Sequence, residues 1–497
     1  MSAAADTTAT KPSRLRCLVV GAGEAGRAIA RDLRRVGSYG LWPVGFLDDD
    51  PAKQGRVVAG LPVLAGSDQL TAVAERLDVD VVVVAIPGLA ASQVRRLGVA
   101  AAAVGASVRY LPSFLAALER DARISDLRRL KVDELLGRHE LRVVRPASRL
   151  VVAGKRVLVT GAGGSIGSEL CRQIKAFGPA GLWLLDHDES NLHRLQLQLT
   201  GQALLDVDEL VIADIRDQDR IRQVFQQVRP QVVFHAAAHK HLPLLERHPC
   251  EGVKSNVAGT LHLVQAALEV QAERFLLIST DKAADPRSVL GATKRVAELV
   301  VAAHAGGPTR LASVRFGNVL GSRGSLLSVV AEQLEAGEPV TVTHPEVTRF
   351  FMTVEEAVGL VLEAAGMAGS GEVFVLDMGR PVRIVELVEK YAAAVGVDRG
   401  GLVFRFTGLR PGEKLNEALF SAAEQRVATA HPKVWATVAR PAGVGFGRLL
   451  GGLLAAAEAN RPTAVRGVLA ELLPEYRPQP DPAGAAAALT APYPDGF

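Results

Sequence analysis

Two glycine-rich turns, 140 residues apart, constrain the fold of this 497-residue chain more than any other feature. They read Gly21-Ala-Gly23-Glu-Ala-Gly26 and Gly161-Ala-Gly-Gly164-Ser-Ile-Gly167, and each follows an apolar stretch and precedes a helical pattern. A glycine turn between a buried strand and a helix lets backbone N–H groups approach a phosphate closely. The sequence therefore predicts an α/β protein with two tandem Rossmann-type, doubly wound parallel sheets.

Apolar segments after each turn supply the strands of these two sheets. In the first repeat we predict strands near 17–20, 44–47, 80–86 and 107–111, and the third of these is apolar without alternation, as in a strand buried on both faces. In the second repeat we predict strands near 156–160, 182–185, 210–212, 232–235, 275–279 and 312–316, with helices between them. Such alternation is typical of a parallel, doubly wound sheet.

The domain boundaries follow from these repeats. We predict a disordered N-terminus (1–13), a Rossmann-like domain (14–112), a connector (113–150), a catalytic domain (151–440) whose smaller substrate-binding region starts near 320, and a helical, Pro/Ala-rich tail (441–497).

Composition excludes several function classes. A net charge of +4 is small for 497 residues, so we expect no nucleic-acid partner. The three cysteines are isolated in sequence, which argues against a disulfide framework or a zinc site. The longest apolar runs are too short to cross a bilayer, so we expect no membrane span.

The second glycine turn predicts a dinucleotide site. Asp186, at the end of the next strand, can accept hydrogen bonds from ribose hydroxyls but would repel a 2′-phosphate, which favours NAD over NADP. Asp214 and Ile215 can flank the adenine, and small alanines after the fourth strand allow close approach. The predicted cofactor-binding set is Gly161, Gly164, Ser165, Ile166, Gly167, Asp186, Asp214, Ile215, Ala236, Ala237, Ala238 and Lys294.

The first glycine turn is weaker evidence for a ligand, because many such units keep glycines for packing alone. If it binds anything, we expect a nucleotide or sugar nucleotide in contact with Gly21, Gly23, Gly26 and Asp48.

The run His235-Ala-Ala-Ala-His-Lys-His241 resembles a metal cluster at first sight. It has no acid or cysteine to complete a coordination set, so we predict no metal. His239 and Lys240 are candidates for a sugar-nucleotide pocket, with a solvated loop as the alternative. Asn256, at the start of a predicted helix, is interpreted by default as a helix cap, and the alternative is that it holds a structural water near the helical Lys.

An acid and two amines lie just beyond the fifth strand. They are Asp281, Lys282 and, on the following helix, Lys294, and Thr280 precedes them. The carboxyl end of a parallel strand is where an α/β nucleotide fold places its chemistry. We therefore predict Thr280, Asp281, Lys282 and Lys294 as catalytic residues.

At these residues the chain resembles the nucleotide-sugar 4,6-dehydratase branch of the extended short-chain dehydrogenases, of the long polysaccharide-biosynthesis type that acts on UDP-N-acetylglucosamine. Short-chain dehydrogenases normally carry Tyr four residues before the helical Lys; here that position is Leu290, and this branch commonly has Met there. The resemblance covers about residues 14–435. The motifs that carry it are Gly161-Ala-Gly-Gly-Ser-Ile-Gly167, His235-Ala-Ala-Ala-His-Lys-His241, Ser279-Thr-Asp-Lys-Ala283, Gly291-Ala-Thr-Lys-Arg295, Arg315-Phe-Gly-Asn-Val-Leu-Gly321, Thr348-Arg-Phe-Phe-Met-Thr353 and Leu409-Arg-Pro-Gly-Glu-Lys414.

The resemblance implies a reaction. Hydride leaves sugar C4 for NAD, water is lost across C5 and C6, and the hydride returns to C6. Lys282 would be the base at C5, which requires a neutral amine and hence a lowered pKa. Asp281 would be the acid toward the C6 hydroxyl, having first accepted the C4 proton through Thr280.

The resemblance also implies a UDP-sugar substrate, held at its diphosphate and uridine by Asn318, Arg323, Arg410 and Glu413. It implies a homo-oligomer as well. Long members of the family usually begin with transmembrane helices, whereas this chain starts at the first nucleotide fold, so membrane attachment is in doubt. We expect a cytoplasmic protein, either free or peripheral to the inner face of the membrane.

Two other functions stay open at this point. A nucleotide-sugar 4-epimerase shares fold, cofactor and C4 oxidation but needs neither an acid for C6 nor a base for C5. A non-catalytic nucleotide-sensing scaffold would explain the missing Tyr.

Overall fold

The computed structural model describes residues 15–35, 41–86, 89, 91–104, 106–110, 128–129, 146–201, 205–320, 326–394, 402–438 and 443–476. The chain divides into two compact units, Met1–Val143 and Val144–Phe497, which are treated separately below. Most of the predicted connector (113–150) and residue 111, at the end of the predicted strand 107–111, lie outside the described residues.

The first unit is built on a mainly parallel sheet whose strands follow the predicted pattern. Its described strands are β1 (Leu15–Val20), β2 (Leu41–Leu47), β3 (Val57–Val58), β4 (Leu61–Ala65), β5 (Val81–Val84), β6 (Ser107–Tyr110) and β7 (Arg128–Arg129), in the order β3-β4-β2-β1-β5-β6-β7. Its described helices are α1 (Glu24–Arg35), α2 (Leu70–Arg76) and α3 (Ala91–Ala102). β5 is buried along its whole length, as its unbroken apolar run predicts.

The second unit contains a larger sheet, in which strands β8 to β13 and β18 pair in parallel. Its described strands are β8 (Arg156–Thr160), β9 (Gly181–Asp186), β10 (Leu210–Ile212), β11 (Val232–His235), β12 (Arg274–Ile278), β13 (Arg310–Arg315), β14 (Asn318–Leu320), β15 (Val340–Val342), β16 (Thr348–Arg349), β17 (Phe351–Thr353), β18 (Glu372–Leu376), β19 (Val382–Arg383), β20 (Phe404–Phe406), β21 (Val427–Ala428) and β22 (Val434–Val438). The main sheet has the order β10-β9-β8-β11-β12-β13-β18-β22-β21, with β22 antiparallel to both β18 and β21. The two tandem doubly wound sheets predicted from sequence are confirmed.

Helices connect the parallel strands of the second unit. The described ones are α4 (Pro146–Arg149), α5 (Ser165–Ala176), α6 (Glu189–Thr200), α7 (Gln218–Val228), α8 (Leu242–Arg247), α9 (Pro249–Val253), α10 (Gly259–Glu269), α11 (Val289–Ala303), α12 (Leu326–Glu335), α13 (Val354–Met367), α14 (Ile384–Ala394), α15 (Phe446–Glu458) and α16 (Pro462–Leu472). A π-helical turn, Lys254–Ala258, joins α9 to α10. Apolar faces of α7 and α10 pack on β8, β11 and β12 to form a core that includes Phe225 and Phe275.

This topology determines where a ligand can bind. The strand order reverses between β8 and β11, and in open α/β sheets ligands bind beyond the carboxyl ends of the strands at such a switch point. The segments that leave those ends are the glycine turn after β8, the alanine run after β11 and Thr280-Asp281-Lys282 shortly after β12. Among the helices that the model describes, none is long and apolar enough to span a bilayer.

Candidate active site

A cavity of about 650 Å³ lies at the carboxyl ends of β8, β11 and β12. It brings together segments that are far apart in sequence, from the glycine turn near 164 to β17 near 351. Its lining includes the predicted residues Gly164, Ser165, Ile166, Gly167, Ala236, Ala238, His239, Lys240, Thr280, Lys282, Lys294 and Asn318. The two predicted classes of residue, for the cofactor and for the reaction, therefore share one space.

The second glycine turn is shaped for close backbone approach. Gly161 has φ +66°, and a side chain there would lie 2.6 Å from the backbone N of Ala237. A side chain on Gly167 would lie 2.0 Å from the carbonyl oxygen of Gly161. Glycine is thus required sterically at both positions, and α5 begins with its N-terminal N–H groups beside the cavity. This arrangement fits a pyrophosphate.

Asp186 ends β9 beside the glycine turn. Its Oδ2 accepts a hydrogen bond from the N–H of Gly163 at 2.9 Å, and its Oδ1 accepts one from the N–H of Asp188 at 3.1 Å. These contacts orient the carboxylate toward the turn. Asp186 can still accept hydrogen bonds from a ribose diol, because a carboxylate offers about four lone-pair sites and these contacts use two of them.

The predicted adenine-flanking pair is only partly exposed. Asp214 forms an ion pair with Arg216 at 2.6 Å. Ile215 is buried in the core beneath α10, where a side chain on Gly259 would meet it at 2.5 Å. Neither residue lines the described cavity, so their contact with adenine stays a prediction.

The turn after β12 positions the predicted catalytic groups. Thr280 caps a short 3₁₀ turn, Asp281–Ala283, and its hydroxyl donates to Oδ1 of Asp281 at 2.9 Å. Lys282 Nζ donates to the same Oδ1 at 3.0 Å and to Oδ1 of Asn318 at 3.3 Å. Asp281 is fully buried, and its Oδ2 has no hydrogen-bond partner among the described residues. The turn thus holds an acid, a hydroxyl and an amine in mutual contact.

The electrostatics of Lys282 correct one expectation from the sequence. Burial favours the neutral amine, but the Asp281 and Glu417 carboxylates outweigh burial and raise the pKa of Lys282. The lowered pKa expected for a base is therefore wrong for this state of the site. The resting group is an ammonium, and it must lose a proton before it can act as a base.

Lys294 behaves in the opposite way. Its Nζ donates to the carbonyl oxygen of Ile278 at 2.8 Å, and burial lowers its pKa to about 8. Leu290, in the position where short-chain dehydrogenases have Tyr, lines the same cavity with an apolar side chain. The described lining near the turn carries the hydroxyls of Ser279 and Thr280, and that of Ser279 donates to Glu298.

The histidine motif serves two different purposes. His235 is fully buried between Thr160 Oγ1 at 2.8 Å and Thr260 Oγ1 at 3.0 Å, and burial with the nearby Lys294 ammonium holds its pKa well below the usual range. It is therefore a neutral link within the sheet. His239 lines the cavity, and burial lowers its pKa as well. The part of the chain that the model describes contains no group of three His, Cys, Asp or Glu arranged to hold a metal.

Asn256 is not a helix cap, which corrects the sequence interpretation. It lies inside the π-helical turn, fully buried, and its side chain makes two hydrogen bonds to the backbone of His239 at 2.9 and 3.1 Å. Its amide also donates to Thr293 Oγ1 at 3.1 Å. Asn256 thus attaches the loop that carries His239 and Lys240 to α11.

The predicted substrate residues are dispersed. Asn318 and Lys240 line the cavity, whereas Arg323 lies outside the described residues. Glu413 is bound by Arg349 at 2.7 Å and accepts the N–H of Arg410 at 3.2 Å, which organises its own loop. Neither Arg410 nor Glu413 appears in the described lining, and their contact with substrate stays a prediction.

Sequence reasoning missed the charges beneath the turn. Ser279 donates to Glu298 at 2.7 Å, and Glu298 pairs with Arg315 and Arg295 at 2.6 and 3.0 Å. Glu424, between β20 and β21, pairs with Arg315 at 2.8 Å. Burial opposes ionisation of Glu298, but the two arginines and Ser279 lower its pKa to about 2. Spacing offered no signal for this network, because Glu424 is 109 residues from Arg315 in sequence and meets it only through folding.

The first glycine turn has its own geometry. Gly21 has φ +97°, and a side chain there would lie 2.5 Å from Cγ1 of Ile86. Asp48 Oδ2 accepts the N–H of Ala22 at 2.7 Å, and Lys53 pairs with the same carboxylate at 3.1 Å. Burial opposes this charge, but the backbone N–H groups and Lys53 lower the pKa of Asp48. Ligand contact by Gly21, Gly23, Gly26 and Asp48 stays a prediction.

Comparison with known proteins gives matches to both units. A family model described as polysaccharide biosynthesis protein matches residues 157–439, and one described as CoA-binding domain matches residues 4–112. The capsular polysaccharide biosynthesis protein CapD of Staphylococcus aureus is 38% identical over 424 residues, covering 84% of this chain and 70% of that protein. A UDP-glucose 4-epimerase of Rickettsia rickettsii is 31% identical over 278 residues, covering 54% of this chain and 79% of that protein. The X-ray structure of Pen from Bacillus thuringiensis, 30% identical with a TM-score of 0.53, covers 58% of this chain and 89% of that one.

Proposed function

Because the chain belongs to the polysaccharide biosynthesis protein family, we propose that it is an NAD-dependent nucleotide-sugar 4,6-dehydratase acting on UDP-N-acetylglucosamine. At a coarser level it is a nucleotide-sugar dehydratase- or epimerase-like enzyme of polysaccharide biosynthesis. The observation that carries the finer proposal is the contact of Asp281 with Lys282 at 3.0 Å, beside a cavity built from the glycine turn.

The residues around the cavity fit NAD. Gly161 and Gly167 leave the turn free of side chains, and the start of α5 would hold the pyrophosphate. Asp186 would accept from the ribose hydroxyls and disfavour a 2′-phosphate. NAD held at this turn would supply a reversible hydride acceptor for oxidation at sugar C4 and reduction at C6, so the cycle would be redox neutral.

The side chains of the turn would carry out the proton transfers of the reaction. Thr280 would hydrogen-bond the C4 hydroxyl and pass its proton to Asp281 Oδ1, with which it is already in contact at 2.9 Å. Asp281 would then give that proton to the departing C6 hydroxyl. Lys282 would remove the C5 proton and later restore it, since its Nζ lies in the cavity next to Asp281.

The charges at the turn favour dehydration over epimerisation. An epimerase returns the hydride to C4 and has no use for an acid at C6 or a base at C5. Here an acid and an amine are buried together, at a cost in desolvation that a site without proton transfers would avoid. The Rickettsia epimerase at 31% identity keeps epimerisation as the second candidate.

The test is incubation with UDP-N-acetylglucosamine, chromatographic separation of the sugar nucleotides and mass analysis of each. A product lighter by one water supports the proposal, an isomer of equal mass supports the epimerase, and unchanged sugar leaves the non-catalytic scaffold. The matched control is Lys282→Met, which keeps the length of the side chain but removes the amine, and which should give no dehydrated product.

A further inference from the structure

Asn318, which the resemblance assigns to substrate binding, contacts a catalytic side chain of the protein itself. Its Oδ1 accepts a hydrogen bond from Nζ of Lys282 at 3.3 Å, and both residues line the cavity. An ammonium only donates hydrogen bonds, so the oxygen of the amide and not its nitrogen must face Nζ. Binding of a diphosphate or a uridine does not explain this contact.

The segment that carries Asn318 is fixed against the catalytic turn by its backbone. The N–H of Asp281 donates to the carbonyl oxygen of Phe316 at 3.0 Å, and the N–H of Asn318 donates to that of Phe350 at 3.0 Å. Between them, Gly317 leaves room for the Asp281 carboxylate, because a side chain there would lie 3.0 Å from Oδ2. Asn318 also begins β14, which pairs in parallel with β17. The fold therefore positions the amide without help from a substrate.

Two acceptors fix the orientation of the Lys282 nitrogen. Oδ1 of Asp281 accepts from Nζ at 3.0 Å, and Oδ1 of Asn318 accepts at 3.3 Å. No third acceptor among the described residues contacts Nζ. Because the nitrogen is tetrahedral and Lys282 lines the cavity, the remaining position on Nζ is the one available to a substrate. With a single acceptor, that position could rotate about the one hydrogen bond.

We propose that Asn318 is a positioning residue for deprotonation at sugar C5. Together with Asp281 it accepts the two N–H bonds of neutral Lys282, so that the lone pair on Nζ is directed at the C5 proton. A general base must be aligned with the proton that it removes, and a misplacement of about 1 Å can cost about 10²-fold in rate. This inference rests on the proposed dehydratase function.

The proton transfers balance. Lys282 rests as an ammonium and releases its third proton to water in the open cavity before the sugar binds. The lone pair left on Nζ accepts the C5 proton, and the C6 hydroxyl leaves as water with the proton that Asp281 received from the C4 hydroxyl. Lys282 returns its proton to C5 when C6 is reduced. Asn318 keeps the same hydrogen bond throughout and neither gains nor loses a proton.

The first experiment separates positioning of Lys282 from binding of the substrate. Asn318→Ala removes the acceptor, so kcat on UDP-N-acetylglucosamine should fall by about 10²-fold with little change in KM. The isotope effect on kcat from deuterium at C5 should rise, whereas that from deuterium at C4 should not. A residue that only binds the substrate would instead raise KM at unchanged kcat, and that result would overturn the proposal.

The pH profile separates alignment of Lys282 from its protonation. The charges that act on Lys282 are those of Asp281, Glu417 and Arg349, and Asn318→Asp adds a further carboxylate. This variant keeps an acceptor but favours the ammonium, so the rise of kcat/KM with pH should move to higher pH. Its kcat at high pH should exceed that of Asn318→Ala, in which the rise moves to lower pH. A wild-type plateau of kcat in Asn318→Ala would contradict the role in alignment.

Asn460 offers a matched control, because its amide oxygen also accepts a hydrogen bond from a lysine, Lys254, at 2.7 Å. It lies outside the described cavity lining. Asn460→Asp should leave kcat, KM and both isotope effects at their wild-type values. If it changed them as much as Asn318→Asp does, the effect would not be specific to Lys282 and the proposal would fail.

A measurement on the free protein keeps this inference apart from the proposed function. NMR titration of isotope-labelled lysine side chains, assigned with Lys282→Arg, should show a higher pKa for Lys282 in Asn318→Asp than in wild type and a lower pKa in Asn318→Ala. The same Lys282 pKa in all three proteins would overturn the contact and with it the inference. Shifted values in a protein that does not dehydrate the sugar would instead overturn the dehydratase function.

Discussion

The two glycine-rich units differ in what covers the turn, although both place it between a buried strand and a helix. In the second unit the neighbouring strand β11 continues into alanines, and the atoms nearest to a side chain on Gly161 would be backbone atoms of Ala236 and Ala237. In the first unit the neighbouring strand β5 is followed by Ile86, whose Cγ1 would lie 2.5 Å from a side chain on Gly21. Glycine is therefore required sterically at both turns, but the neighbouring strand approaches the second turn with its backbone and the first turn with a large apolar side chain.

Asp48 and Asp186, the acids at the ends of the second strands, also differ in how accessible each is to a ligand hydroxyl. Asp48 is paired with Lys53 at 3.1 Å, so a ligand hydroxyl would compete with an ammonium for it. Asp186 has His187 at 3.3 Å, on a side chain that is 73% exposed and readily displaced. A shared scaffold therefore does not imply a shared ligand, because the few side chains at the strand ends decide what can approach.

The largest expected effect is on turnover, and it belongs to the second unit alone. Asp281→Asn removes the group that carries the C4 proton to the C6 hydroxyl, so turnover should fall by about 10³-fold while bound NAD is retained. Product formation by mass and the amount of NAD that copurifies measure the two parts. Asp285→Asn, a carboxylate in the following turn that faces Lys414, is the matched control. Full activity of Asp281→Asn would refute the assigned role.

The buried charge network around Glu298 predicts a pH-dependent contribution to the stability of the second unit. Glu298→Gln leaves Arg315 and Arg295 with an incomplete partner and should destabilise the second unit by about 3 kcal/mol. The pKa of Glu298 is lowered to about 2, so its contribution is present above the ordinary carboxyl range and is lost as pH falls from about 4.5 toward 2. Denaturant unfolding at neutral and acid pH measures this. Equal losses at both pH values would contradict the lowered pKa.

Replacing the two acids at the strand ends should have different effects on the affinity for NAD. Asp186→Ala removes a charged acceptor for the ribose, so NAD affinity should fall by about 10-fold. Asp48→Ala should leave it unchanged, because Asp48 is engaged with Ala22 and Lys53 in the first unit. Calorimetric titration with NAD measures both variants. A similar loss in the two variants would show that the comparison of the units is wrong.

The smallest expected effect lies in the first turn itself. A side chain on Gly23 would meet nothing within 4 Å, so Gly23→Ala should change the free energy of unfolding by no more than about 0.5 kcal/mol. Gly26→Ala should be clearly destabilising, because its side chain would lie 1.9 Å from the carbonyl oxygen of Gly21. Thermal unfolding compares the pair. A large change in Gly23→Ala would indicate a packing role for that position as well.

Much of the fold was readable from local patterns. Unbroken apolar runs and glycine turns predicted the strands around both turns, and the predicted family resemblance is confirmed. The interpretation of Asn256 as a cap was wrong, since its partners His239 and Thr293 are distant in sequence. The lowered pKa expected for Lys282 was wrong for a similar reason: a carboxylate 135 residues away contributes to it.

The sequence by itself determined the two nucleotide-type folds, the glycine turns and the turn that carries Thr280, Asp281 and Lys282, because strand burial and turn geometry depend on near neighbours along the chain. Only the tertiary structure decided that Ile86 lies against Gly21 of the first turn, that Asn256 holds the His239 loop, and that the Glu298 and Glu417 carboxylates act on the groups of the catalytic turn. The physical reason is that proton affinity and steric access depend on burial and on charges brought close by folding, and these follow no spacing in the sequence.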